Sequence, residues 1–208
     1  AHFRGEFDEF DLIDESQQDT YFTQRLGSAV LEDMFRWAKS GNPKAKLFIN
    51  RDGLLSRSAL TADMVCCQVR DLRTRNVPID GIGCQGRFAN AVDPNYVKRT
   101  LDQLATLQLP ITVTHFDCRQ PDQLKKAEQL ERFFRVCFSH PNVESIFVGT
   151  FWGESPEQRE TALWNQDWSP TVSANKYRSL VFREWWTDYR GTANKSGFCH
   201  VRVFHGTH

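Results

Sequence analysis

The sequence predicts an α/β fold built from repeated βα units. Short apolar runs alternate along the chain with amphipathic segments at helical spacing, which is typical of strands that are joined by helices. Hydrophobic residues make up 40% and charged residues 25% of the 208 residues, a globular composition that excludes a disordered chain. The total of 26 basic residues equals the total of 26 acidic residues, so no electrostatic footprint for nucleic acid is present.

Five apolar runs are the predicted strands. They cover residues 7–13, 46–50, 79–85, 110–116 and 143–151. The glycines of the third run suggest close approach of the backbone to another group at a strand end. Five parallel strands fit an open doubly wound sheet and also fit part of a barrel, and hydrophobic periodicity does not separate these two architectures.

The amphipathic segments between the strands are the predicted helices. Ser28 is the predicted cap of the first helix, which residues 41–43 (Gly-Asn-Pro) end. Asp93 followed by Pro94 marks another helix start. The remaining predicted helices cover residues 61–74, begin at 121–122, and cover 174–186. The residues predicted to face the sheet are Val30, Leu31, Met34, Phe35, Ala38, Met64, Val65, Val69, Leu72, Val97, Leu101, Leu104, Leu107, Leu124, Ala127, Leu130, Phe134 and Cys137.

The two ends of the chain and its six cysteines carry further expectations. The first residues look like a processed or truncated start, and residues 189–208 are expected to begin a small β appendage or tail after a domain of residues 1–188. No cysteine pair has the spacing of a zinc site, so no metal and no cofactor is expected. Cys118 and Cys137 flank one helix and could pair in an oxidising compartment, while Cys84 is expected to be a buried free thiol. No run approaches the roughly 20 apolar residues of a membrane span.

Five segments, taken together and in order, resemble glycoside hydrolase family 10, the retaining β-1,4-xylanases. The resemblance extends over roughly residues 3–187 and implies a (β/α)8 barrel of the TIM type, of which this chain holds strands 4–8 and lacks the first three. A half barrel exposes two strand edges, so the missing half is expected in another chain or in a homo-oligomer. The segments are residues 10–15 (FDLIDE), 45–50 (AKLFIN), 79–87 (IDGIGCQGR), 111–117 (ITVTHFD) and 143–152.

The resemblance also implies a pair of catalytic carboxyl groups, of which this chain retains one. Glu15 stands at the position of the family's acid/base, whereas His115 stands at the position of the nucleophilic Glu. An imidazole does not supply the carboxylate that forms the covalent glycosyl-enzyme intermediate of a retaining enzyme. Two rescue routes remain open, namely His115 as the base for a water molecule and a carboxylate supplied from elsewhere.

Other strand-end positions are implied to contact the substrate. In the family, an Asn stands where this chain has Asp14, and a His stands where it has Arg87. Arg51 and Arg87 could make the cleft cationic, although pairing with neighbouring carboxylates is the favoured interpretation. The implied substrate-binding residues are Asp14, Asn50, Gln85, Arg87, Asp117 and Trp152.

The predicted function is that of a catalytically impaired xylanase homologue with a glycan-binding or structural role in an extracellular setting. The alternative is an active retaining endo-β-1,4-xylanase or related glycanase that a partner N-terminal half completes. A pure assembly protein is the third possibility. The expected ligand is a β-1,4-linked polysaccharide or another glycan.

Overall fold

The described residues form one parallel sheet whose strand order follows the chain. The computed structural model describes residues 5–15, 21–56 and 61–204, without the side chains of residues 14, 15 and 156. The sheet order is β1-β2-β3-β4-β5, and each pair of neighbours is parallel. A doubly wound sheet would reverse its strand order at a switch point, whereas a barrel does not. The barrel-type prediction is therefore confirmed. The strands are β1 (Glu9–Glu15), β2 (Lys46–Arg51), β3 (Gly81–Phe88), β4 (Ile111–Cys118) and β5 (Val143–Val148).

The strand boundaries differ from the predicted ones, mostly by a shift toward the carboxyl end. Strand β3 begins at Gly81, two residues later than predicted. Val77 and Ile79 are buried, but they lie in the connection that precedes the strand. Strand β5 ends at Val148, three residues earlier than predicted. At the next residue, Gly149, the backbone passes against a side chain of β4 and leaves the strand path. Apolar runs therefore mark burial more closely than they mark pairing.

The helices flank the sheet in chain order. Asp93 caps the helix that follows it, as predicted. Asp122 caps its helix in the same way, since it accepts hydrogen bonds from the backbone N–H groups of Leu124 (2.9 Å) and Lys125 (3.1 Å). The helices are α1 (Tyr21–Leu26), α2 (Val30–Gly41), α3 (Ala62–Thr74), α4 (Pro94–Ala105), α5 (Gln123–Ser139), α6 (Pro156–Arg159) and α7 (Val172–Ser179), and α7 continues as a π-helical turn, Leu180–Glu184. The short helices α1 and α6 were not predicted.

The prediction that Ser28 caps the first helix is wrong. Helix α2 begins after Ala29, and no side chain caps it. Gly27, at φ 82°, makes a tight turn in which its carbonyl accepts from the backbone N–H of Val30 at 3.2 Å. The backbone therefore supplies the acceptor that a capping side chain would otherwise provide.

The core lies between the sheet and the helices. Met64 (56% exposed) and Leu124 (68% exposed) were wrongly predicted to face it. Both lie in the first turn of their helices and point away from the buried stripes, which include Val65 and Ala127. The largest fully buried apolar side chains are Phe35, Phe48, Phe133, Leu47, Ile49, Leu54, Leu55, Ile82, Leu101, Leu104 and Ile111.

The sheet edges and the tail complete the architecture. Within the part of the chain that the structure describes, β1 and β5 each pair with a single strand. Residues 187–204 contain no strand, so the expected β appendage does not begin with a strand there. A turn in this segment is held by the Asn194 side chain, which accepts from the backbone N–H groups of Ser196 and Phe198. Residues 205–208 lie outside the described residues, and the boundary at 188 stays a prediction.

The six cysteines are all described and all carry free thiols. Cys84 is buried as predicted, and its burial raises the pKa of the thiol to about 12, so the thiol stays protonated at neutral pH. Cys118 and Cys137 are buried and do not form the disulfide that remained open from their spacing. None of the described helices combines the length and the apolar content that crossing a membrane requires.

Candidate active site at the carboxyl ends of the strands

The residues that the sequence singles out lie at the carboxyl ends of adjacent parallel strands. In barrel folds this face carries the catalytic and binding groups. The described backbone includes Asp14 and Glu15 in β1, and their side chains lie outside the described part of the chain. The backbone registers are Asp14 beside Asn50, Glu15 beside Arg51, Gln85 beside His115, and Arg87 beside Asp117.

His115 is paired with a carboxylate on its own strand. Its Nε2 lies 2.5 Å from Oδ2 of Asp117, and the two side chains are only 24% and 18% exposed. The pairing of β4 with both neighbouring strands is irregular around residues 113–116. Side chains two residues apart on a strand share a face, which allows this contact. Asp117 therefore holds the imidazole in place, and the assignment of His115 to the nucleophile position stays a prediction.

Gly149 also lies against the His115 ring, near the Nε2 atom. A Cβ atom at this position would overlap three ring atoms of His115. The glycine is thus required by close approach of the backbone to the imidazole, and not by an unusual backbone dihedral. The sequence reasoning used this principle for the glycines of β3 but missed Gly149, although its place at the end of a predicted strand is the same signal.

Asn50 is part of a buried polar contact across three strands. It is 2% exposed, its Oδ1 accepts from Thr114 Oγ1 at 2.8 Å, and its Nδ2 donates to Asp11 Oδ2 at 3.3 Å. A Cβ atom on Gly83 would lie 2.9 Å from Asn50 side-chain atoms, so the glycine leaves room for the amide. The amide therefore connects β1, β2 and β4, and a role in sugar binding stays a prediction. Thr114 was missed because its partner lies 64 residues away.

The two arginines do not form a cationic cleft. Arg51 is 2% exposed and donates to Gln68 Oε1 of α3 at 2.6 Å, so its guanidinium lies inside the protein. Arg87 has a side chain that is 53% exposed and lies 4.0 Å from Asp52, the pairing that was favoured over a cationic pocket. Gln85 is 4% exposed. Gln85 and Arg87 thus differ in access to solvent, and their roles as sugar ligands stay predictions.

Trp152 lies in an aromatic cluster beyond β5. Its indole stacks on Trp168 with ring centroids 5.3 Å apart and an interplanar angle of 10°. Its Nε1 donates to the backbone carbonyl of Gln166 at 3.2 Å. Phe151 and Trp164 stack beside this pair, with centroids 4.4 Å apart. The half-buried Trp152 is therefore supported on one face, and its contact with a sugar stays a prediction.

The described residues contain no group of three or more His, Cys, Asp or Glu side chains that could hold a metal ion. One described carboxylate, Asp117, faces an imidazole, and its Oδ1 is buried with no hydrogen-bond partner among the described residues. Two strands, β2 and β3, lie between β4 and β1, the strand that carries the other implied carboxyl group, Glu15.

Comparisons with known proteins agree with this geometry. A family model described as glycosyl hydrolase family 10 matches residues 1–183. Anti-sigma-I factor RsgI6 of Acetivibrio thermocellus is 35% identical over 209 residues, which are 100% of this chain and 27% of that protein. Endo-1,4-beta-xylanase 2 of Arabidopsis thaliana is 29% identical over 100% of this chain and 20% of that protein.

Solved structures agree in fold. Native xylanase 10B from Thermotoga maritima superposes with a TM-score of 0.78 at 24% identity, covering 88% of this chain and 63% of that chain. The chain thus spans roughly a quarter of the curated relatives above and under two thirds of this solved xylanase. Because the family model matches most of its residues, this chain belongs to glycosyl hydrolase family 10.

Proposed function

We propose that this chain is a glycan-binding domain of glycosyl hydrolase family 10 that does not hydrolyse its ligand. The observation that carries the proposal is the state of His115, whose ring is paired with Asp117 at 2.5 Å and packed against the backbone of Gly149. A retaining enzyme needs a second carboxyl group about 5 to 5.5 Å from the acid/base. An imidazole that is already paired does not provide it.

A relative supports a role outside catalysis. RsgI6 is named as an anti-sigma factor, and the part of it that matches this chain is 27% of its length. A domain of this family therefore occurs within a protein that is not named as an enzyme. Because β1 and β5 each pair with one strand among the described residues, we also propose that three further strands, from another segment or chain, complete the sheet. We further propose that the protein acts in an extracellular setting where polysaccharide is present.

The second candidate function is an inverting glycanase, and the same pair of side chains favours it. A carboxylate that is hydrogen-bonded to an imidazole orients the ring, as it does in a catalytic triad, and an oriented imidazole can act as a general base. Such a base could activate a water molecule opposite Glu15. An inverting site, however, leaves about 6.5 to 9.5 Å between its two groups, and the family's spacing is that of a retaining site.

Incubation with xylan and with mixed-linkage glucan separates these functions. We expect retention of the chain in affinity gels that contain the glycan, and no release of reducing ends. Glu15→Gln should leave this binding within about twofold, because the proposal assigns no proton transfer to Glu15.

Turnover that Glu15→Gln abolishes would contradict the proposal, and the anomeric configuration of the product would then decide between retention and inversion. A covalent adduct with a 2-fluoro-xylobioside, detected by mass spectrometry, would reveal an alternative nucleophile, and Asp117→Asn would test the nearest carboxylate. Absence of both binding and turnover, together with a large assembly, would favour the structural role instead.

A further inference from the structure

We propose that the loop of residues 165–169, which carries Trp168, is a second sugar-binding subsite for one pyranose ring of a β-1,4-linked glycan. The subsite extends the binding surface outward from Trp152. This inference rests on the proposed glycan-binding function and adds the position and the chemistry of one contact. Five exposed or polar residues carry it, namely Asn165, Gln166, Asp167, Trp168 and Ser169.

Trp168 presents an apolar plate to solvent. Its side chain is 60% exposed although one face of the indole stacks on Trp152. The partner Trp152 is itself held in place, because its Nε1 donates to Gln166 O. A flat indole that is supported from behind and open in front is suited to packing against the apolar face of a sugar ring.

The backbone of Trp168 has a conformation that is unfavourable for its residue type. Its φ is 63°, in the left-handed region that bulky side chains rarely adopt. The loop is held by hydrogen bonds on both sides, from Trp168 N to Asn165 O (3.0 Å) and from Asn165 N to Ser169 O (2.9 Å). Glycine would adopt this conformation without strain, so the backbone at this position favours glycine, yet the chain carries a tryptophan there.

A polar depression of about 480 Å³ adjoins the same loop. Arg159 Nη2 donates to Gln166 Oε1 at 2.8 Å, which orients both groups and leaves further guanidinium N–H donors. Asp167 Oδ1 accepts from the backbone N–H of Ser169 (3.0 Å) and from its hydroxyl (2.6 Å), and its second oxygen is an additional acceptor. The residues that line the depression are Arg159, Asn165, Gln166, Asp167 and Ser169.

The combination fits a sugar better than it fits the other classes of ligand. Planar amide, carboxylate and guanidinium groups bind the hydroxyl groups of a pyranose from the side, while an indole packs on its ring face. The depression carries both charge signs, so it does not favour a polyanion. A β-1,4-linked chain exposes ring faces and equatorial hydroxyl groups along its whole length, so a second ring can reach this loop while the first lies at Trp152.

The test compares Trp168 with a matched exposed tryptophan. Trp186 is 64% exposed and lies beyond the π-helical turn, remote in sequence from the loop. Binding of xylohexaose and of cellohexaose is measured by calorimetry for the unchanged chain and for W168A, W168G and W186A. We expect about tenfold weaker binding for W168A and W168G and no more than a twofold change for W186A. The two sugars show whether the subsite requires a xylan or accepts any β-1,4-linked chain.

The glycine variant separates binding from folding. Because glycine adopts the observed φ freely, W168G should keep the Tm of the unchanged chain or raise it while it weakens binding. A fall in Tm with unchanged affinity would show that Trp168 only supports the fold, and it would overturn the subsite alone. If the unchanged chain binds neither hexaose, the proposed glycan-binding function fails as well.

Discussion

At the scale of single residues, the candidate site is organised around His115. The Nε2 atom of the ring contacts the Asp117 carboxylate, and the ring also lies against Gly149. The first contact joins two side chains of β4 that share a face, whereas the second depends on how β4 and β5 lie beside one another. These neighbours hold the imidazole in a defined place.

The contact between Gly149 and His115 predicts a coupled pair of substitutions. Gly149→Ala should lower the free energy of unfolding by about 1–3 kcal/mol, because the added Cβ overlaps the ring. In a His115→Ala background the same change should cost less than about 0.5 kcal/mol, since the obstacle is gone. Urea unfolding of the four proteins measures this coupling. Equal costs in both backgrounds would mean that the ring does not occupy this space.

A second histidine predicts a dependence of stability on pH. Burial lowers the pKa of His140 from its ordinary value of 6.5, and Asp102, 3.5 Å from Nε2, opposes this only in part. The positive charge of Lys98 acts in the same direction as burial. The unfolded chain therefore binds the proton more readily than the folded chain, so stability is complete above about pH 6.5 and decreases as the pH falls through that value.

The expected result is a lower urea midpoint at pH 5.5 than at pH 7.5, with an unchanged m-value. His140→Asn should reduce the difference, whereas His200→Asn, at an exposed position, should not. The carboxylates with lowered pKa values begin from ordinary values of 3.8 or 4.5 and therefore lie outside this window; they are Asp102, Glu131, Glu157, Asp167 and Glu184. A difference that persists in His140→Asn would assign the effect to another group.

At the scale of elements, helix α5 is joined to the segment that precedes the aromatic loop through a buried lysine. Lys126 is 2% exposed, and its ammonium group donates to the carbonyls of Glu160 (3.0 Å) and Ala162 (2.8 Å). Burial lowers the pKa of Lys126, and the Asp117 carboxylate partly offsets that effect. The helix thus positions residues 160–162, which lead directly to Trp164 and Trp168.

Replacement of this lysine tests the connection. Lys126→Met should destabilise the chain by about 2 kcal/mol, because two buried carbonyls lose their donor and this outweighs the removal of a buried charge. Lys125→Met, at the exposed neighbouring position, should stay within about 0.5 kcal/mol. Denaturant unfolding measures both variants. If the two were equally stable, the ammonium group would contribute nothing to the junction.

At the scale of the whole molecule, the edge strands β1 and β5 each pair with one strand among the described residues. In β5, the side chains of Ile146 and Val148 pack against the core. Because side chains alternate along a strand, Phe147 between them lies on the opposite face, where it is 58% exposed. Across the start of the sheet, Lys46 of β2 lies 3.1 Å from Glu9 and 3.6 Å from Glu144. Exposed strand edges favour pairing with further strands.

We therefore expect residues 1–208, expressed as they stand, to elute above their mass of 24.1 kDa in size-exclusion chromatography with light scattering. Phe147→Lys should shift the population toward the monomer, because it places a charge on the face that would be covered. Phe182→Lys, at a side chain of similar exposure (56%), serves as the control. A monodisperse 24.1 kDa monomer of the unchanged chain would refute this expectation.

The sequence by itself determined the alternation of strands and helices, the Asp93 cap, the helix start at residues 121–122, the family and the barrel type. These features follow from patterns among residues that are close in sequence, or from motifs in a constant order. Only the tertiary structure decided that Asn50 accepts a hydrogen bond from Thr114 and that Gly149 lies against the ring of His115. It also decided that Arg51 is buried and that Lys126 donates to two distant carbonyls. The physical reason is that such contacts depend on how separate elements lie against one another, and the residues next to each partner carry no record of that arrangement.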